Sequence, residues 1–143
     1  MVAVRHHHEA SLIVLLDSDQ IDDGTLFLQL QQKANWKPAR AVGENSVCWM
    51  VQCMEAWFLA DRNGLHSVFG ERLKVRSLPG GADVETITHP DVLLKNATRG
   101  SGGSPYHKGI HAGKLLARLD PESVRKGARN FQRLINVVSE KLD

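Results

Sequence analysis

Two short, continuous apolar runs stand out from an otherwise mixed chain: LIVLL at residues 12–16 and VCWMV at residues 47–51. Runs this short, followed by turn-formers, fit strands buried on both faces, as in a parallel sheet covered by helices. Between them, Asp22 or Asp23 can cap a helix over residues 25–34, with Leu26 and Leu30 on its apolar side. Trp36-Lys37-Pro38 ends that helix, because proline disfavours helical backbone in the residue before it. After the second run, QCMEAWFLA (52–60) reads as a helix that closes near Asp61 to Gly64, where Gly64 suits a left-handed cap. One unbroken helix from Ser46 is the rival reading.

Periodicity weakens further on. Residues 65–91 read as irregular, punctuated by Pro79-Gly80-Gly81 and His89-Pro90, with Asp91 capping a short helix through Leu93 and Leu94. RGSGGSP at residues 99–105 predicts a flexible loop. A helix over residues 107–119 follows, despite Gly109 and Gly113. The last helix has Asp120 as N-cap, Pro121 at its first position and Glu122 in its first turn. Val124, Phe131, Leu134, Ile135, Val138 and Leu142 share its apolar face. No repeat or boundary interrupts the pattern. It predicts a single α/β domain over residues 1–143, with a tail at 1–10 and helices on both faces of a small parallel sheet.

Composition narrows the class. A chain of 143 residues and 15.9 kDa suits one core. With 42% hydrophobic and 24% charged residues, wholesale disorder is excluded. A net charge of +2 permits nucleic-acid binding without arguing for it. Cys48 and Cys53 lie in an apolar stretch with no signal peptide before them, which predicts reduced thiols and a cytoplasmic location. Two cysteines alone cannot build a structural zinc site. No apolar run is long enough to span a bilayer, so no membrane association is expected. His6, His7 and His8 carry no functional assignment.

The acids carry the candidate chemistry. Alternation along a strand sends Asp17 and Asp19 to the same side, just past the carboxyl end of the first strand, where open parallel sheets bind ligands. Two adjacent carboxylates need a compensating cation or proton. Magnesium fits, since it takes hard oxygen ligands and typically uses one or two carboxylates plus substrate phosphates. A solvated turn with a helix cap explains Asp17 to Asp23 equally well. Glu55 favours the metal site, because its helix is apolar nearly all round and a buried glutamate needs a cation, a cleft or a hydrogen-bond partner. A first-turn glutamate complementing the helix dipole is the simpler alternative.

The order strand, Asp17-Ser18-Asp19, helix, strand, then Met54-Glu55-Ala56-Trp57-Phe58-Leu59-Ala60-Asp61, Pro105-Tyr106-His107-Lys108-Gly109 and Asn130-Phe131 resembles Toprim-like families of bacterial defence systems. The nearest likeness is to a domain family encoded beside AAA- or ABC-type ATPases, related to RloB and the OLD nucleases. The resemblance implies a Rossmann-like sheet and an acidic site using Mg2+ or Mn2+ for phosphodiester chemistry. Asp17, Asp19, Glu55 and Asp61 match the metal-binding acids, and Glu55 and Lys108 the catalytic pair. One departure is that Toprim domains carry a glutamate after an earlier strand. Glu9 lies just before the DxD strand and cannot stand in for it.

Arg125, Arg129 and Arg133 recur every four residues on the predicted last helix, with Lys126 beside them. Such a ridge can track a phosphate backbone, although a solvated face is the commoner outcome. His107 and His111 lack a third ligand in the sequence pattern. The glycine-rich loop lacks a P-loop ending, so it reads instead as a flap that brings Lys108 to substrate. The expected function is a Mg-dependent nuclease or nuclease-like effector acting with an ATPase partner. The alternative is a catalytically degenerate module that binds protein or nucleic acid. Expected partners are DNA or RNA, that ATPase, and a second copy of the chain.

Overall fold

The computed structural model describes residues 12–33, 43–80, 83–100 and 103–142. The predicted tail with His6 to His8, the helix stop at residues 36–38 and the centre of the 99–105 loop lie outside the described residues. Both apolar runs form strands, β1 at Val14–Asp17 and β2 at Val47–Met50. They pair in parallel, with Val14 opposite Val47 and Asp17 opposite Met50. The helix from Ser46 is thereby excluded: Glu44–Ser46 makes one 3-10 turn and the chain then extends. Among the described residues there are seven α-helices: α1 Leu26–Lys33, α2 Met54–Ala60, α3 Arg62–Phe69, α4 Pro90–Ala97, α5 Lys108–Leu116, α6 Pro121–Gly127 and α7 Arg129–Leu142.

The pleat sorts the sheet into two faces. Val14, Leu16, Val47 and Trp49 turn toward Leu26, Phe27 and Leu30 of α1. On the other face Met50 joins the main core, and α7 runs along β2 with Arg133 near the Cys48 thiol. Helices therefore flank both faces, as predicted. The burial of β1 on both sides is not met. Leu15 stays 39% exposed, because α7 lies over β2.

The hub of the main core is α2, around which α3, α4 and α6 pack. Ala56, Trp57, Phe58 and Leu59 are all buried there, each contributing roughly 1.5–3 kcal/mol if it is a large side chain. Trp57 meets Phe131 edge to face at 4.8 Å between ring centroids. Most of the EAWFLAD stretch is thus packing surface, with one acid at each end.

Several helical expectations are corrected. Asp91 does not cap its helix, since α4 opens at Pro90 after His89, and residues 65–69 are helical as part of α3. Gly64 does not terminate a helix; it lies in the first turn of α3. Its amide donates to Asp61 Oδ1 at 2.9 Å, and a Cβ there would collide with Asp61 Oδ2. The Asn63-Gly64 pair is therefore part of a helix cap rather than a stop. The predicted last helix is also two helices. It opens as expected, with Asp120 accepting from the Glu122 and Ser123 amides. It then breaks at Ala128, which is extended at φ −139° and ψ 108°. Gly127 sits against Ala60, whose Cβ lies 3.3 Å from where its own would stand. Glu85, buried in a separate turn, takes the Asn130 amide at 2.8 Å and starts α7 afresh.

Candidate functional site

Asp17 is the last residue of β1, and α2 begins four residues beyond β2, so both strands deliver an acid to the carboxyl edge of the sheet. The two junctions are tied together. The Ser18 amide donates to the Met50 carbonyl at 3.1 Å, and the Gln52 amide reaches Ser18 Oγ at 3.0 Å and the Gln20 carbonyl at 3.2 Å. Asp19 and Gln52 take left-handed backbone, at φ 53° and 66°, so strand alternation stops after Asp17. A left-handed turn, and not the pleat, carries Asp19 to the cleft.

Glu55 is only 2% exposed. The Tyr106 hydroxyl donates to its Oε1 at 2.7 Å. Lys108 Nζ stands 3.8 Å from Glu55 Oε2 and 3.9 Å from Asp17 Oδ2, bridging the two acids. Tyr106 is itself fixed, since its amide donates to Thr98 Oγ1 at 2.7 Å just past α4. Lys108 opens α5, so the helix and the pinned tyrosine place it, while Gly100 and Gly103 of the preceding loop lie against Arg72. Around this cluster runs a cleft of about 730 Å³, walled by Asp19, Gln52, Glu55, His89, Lys95 and Lys108 among others.

Burial pushes the Asp17 carboxyl up from its ordinary range; Lys108 opposes the rise, and Asp19 and Glu55 add to it. The three carboxylates therefore share one field. Burial, reinforced by Glu55, also raises the Tyr106 phenol, which stays protonated and can only donate to the glutamate. The Cys53 thiol is pushed up to about 12 by burial and by Glu55 beside it. Both effects favour its neutral thiol form.

Of the predicted site residues, Asp17, Asp19, Glu55 and Lys108 converge, and Asp61 does not. Asp61 is equally buried, at 2%, but its Oδ1 accepts from Gly64 N and its Oδ2 from Asp120 N at 2.8 Å. It caps α3 and fastens the start of α6, away from the residues that wall the cleft. The arginines do not form one ridge, because the break at Ala128 puts Arg125 on α6 and Arg129 and Arg133 on α7. Arg125 pairs with Glu122 at 2.7 Å, Arg129 with Asp83 at 3.5 Å, and Arg133 donates to the Glu44 carbonyl at 3.1 Å. His111 accepts the His107 amide at 3.0 Å and serves the helix start.

Among the described residues no group of three or more His, Cys, Asp or Glu side chains is arranged to hold a metal ion. Asp17 and Glu55 fit the sparser kind of magnesium site, in which one or two carboxylates leave the other positions to water and substrate. Lys108 competes for that place. Sequence reading missed Tyr106 and Gln52. The one tyrosine of the chain, standing in PYHKG two residues before the lysine, was the available signal for the first. Nothing local announced the second.

No helix among the described residues is long and apolar enough to cross a membrane. No curated protein and no solved structure matches the chain. Residues 2–139 match a family described as a domain of unknown function, DUF4276. With nearly its whole length matched, the chain belongs to the DUF4276 family.

Proposed function

We propose that the cleft is a phosphodiester site that takes up Mg2+ or Mn2+ together with its substrate. The observation that carries this reading is the bridge of Lys108 between Asp17 and Glu55. Two carboxylates held in one field need a cation, and the Lys108 ammonium supplies one. A divalent ion bound by Asp17 and Glu55 would polarise a phosphoryl oxygen and activate water. Lys108, displaced from the acids but still tethered to α5, then has a phosphate oxygen as its natural counter-charge. Tyr106 holds Glu55 by one oxygen, which leaves Oε2 directed at the reacting side. The starts of α4 and α5 border the same cleft, and the positive end of a helix favours anions.

Kinship with Toprim-like nucleases, and work beside an ATPase, belong to the same proposal. The kinship is supported by the parallel β1–β2 pair with Asp17 at its carboxyl end; the ATPase partner rests on the family resemblance alone. The second reading, a binding module without catalysis, is favoured by the same lysine, since a neutralised acid pair has no intrinsic demand for metal. Cleavage of plasmid and single-stranded DNA and RNA, with Mn2+ or Mg2+ against EDTA, separates them. Metal-dependent cleavage lost in Glu55→Gln and Lys108→Ala supports the nuclease. Binding of nucleic acid without cleavage, and melting curves in Mn2+ that overlay those in EDTA, leave the module.

A further inference from the structure

We propose that the arm of the cleft walled by Gln52 reads a nucleobase, so that the occupant is a nucleotide with its phosphate at Lys108; the phosphate end rests on the reading above. Three non-glycine residues have positive φ among the described residues, Asp19, Gln52 and His89, and all three border this cleft. Aspartate and histidine visit that region several-fold more often than most residues, whereas glutamine has no such tendency. Strain of this kind gathers at ligand sites, where the surroundings enforce it. Here the two bonds of the Gln52 amide to Ser18 and Gln20 enforce it.

The side chain that results is unusual. Gln52 is 8% exposed, yet its carboxamide makes no hydrogen bond among the described residues. Nor is it sealed in: Trp57 Nε1 is the one fully buried side-chain polar atom without a partner there, so the Gln52 amide keeps its access through the cleft. With no protein partner, that amide is left to water or to a ligand in the cleft. A carboxamide presents a donor beside an acceptor. The complementary partner is a planar edge with an acceptor beside a donor, and glutamine pairs in this bidentate way with adenine. His89 and His107 border the same space, and imidazole rings are among the side chains on which bases stack. A volume near 730 Å³ holds a nucleotide.

The test is calorimetric titration of the full chain with AMP and with ribose 5-phosphate, which lacks the base. AMP should bind the parent more tightly by about tenfold or more. Gln52→Gly suits the positive φ and removes the amide; Gln52→Asn keeps an amide but shortens its reach. Both should lose the preference for AMP while ribose 5-phosphate affinity stays unchanged. Equal affinities in the parent, binding of neither compound, or a preference that survives both substitutions would overturn the base site. Given a preference for AMP over ribose 5-phosphate, tetra-adenylate tighter than AMP identifies the source as polynucleotide, and the reverse order identifies a free nucleotide. A protein that prefers AMP but cleaves no diester keeps this site and loses the nuclease reading. One that cleaves without discriminating loses this site alone.

Discussion

The two ends of α2 carry acids of equal burial and opposite character. Glu55 and Asp61 are each 2% exposed, six residues apart on one short helix. Both oxygens of Asp61 are spent on backbone amides, Gly64 N and Asp120 N, which cannot leave without unfolding a helix start. Glu55 is held by side chains, a phenol, the Cys53 thiol and a half-exposed ammonium, and the ammonium can move. Burial by itself thus separates nothing. Within this pair, what differs is that the partners of Asp61 are main-chain amides and those of Glu55 are side chains.

The strongest way to break that contrast is Asp61→Ala. It strands two amides, one at a helix start, and should cost about 3 kcal/mol in urea unfolding while leaving nucleotide binding by the folded fraction intact. A loss of binding without a loss of stability would put Asp61 back among the ligands. Tyr106→Phe removes the 2.7 Å bond to a buried carboxylate and should cost roughly 2 kcal/mol. If its unfolding midpoint matches that of the parent, the phenol does not hold Glu55.

Glu55→Gln sharpens the contrast from the other side. The amide oxygen still accepts from Tyr106, so stability should change by less than about 1 kcal/mol. Any Mn2+-induced rise in melting temperature seen in the parent should nevertheless vanish. A variant that melts far below the parent would make Glu55 structural, like Asp61. The smallest effect concerns pH. The folded Asp17 carboxyl is raised, so between 3.8 and its raised value the native state holds more proton than the unfolded chain. Stability contributed by this group therefore falls as pH rises through that window. Asp17→Asn should remove that slope, read as the difference between two urea midpoint profiles, which cancels the raised Glu85 common to both.

Much of the sheet was legible because apolar runs of strand length leave little choice, and Glu55 was legible as the lone acid in an apolar helix. The amide bonds of Asp61 were not legible, because an acid after a helix looks the same whether it faces metal or amides. The difference lies in Asp120, 59 residues away. The second half of the C-terminal helix pair deceived for a similar reason. Its apolar and arginine spacings run unbroken through Gly127-Ala128, and only contacts with Ala60 and Glu85 impose the bend. Tyr106 joins Glu55 across 51 residues. The strained conformation of Gln52 comes from the loop after β1, and no pattern at residue 52 records it.

The lie of α7 across β2 bears on how the chain is made. Residues 129–142 cover a strand that leaves the ribosome some eighty residues earlier. During synthesis, Met50 and the Cys48 side of that strand wait without their final cover, and the four-residue parallel ladder has little local support of its own. A chain interrupted before Arg129 keeps the acids, the lysine and the tyrosine, yet lacks the Asn130 anchor on Glu85 and the shelter over the sheet. Nascent fragments of this protein are therefore expected to be chaperone clients and prone to strand-edge association until the last helix arrives.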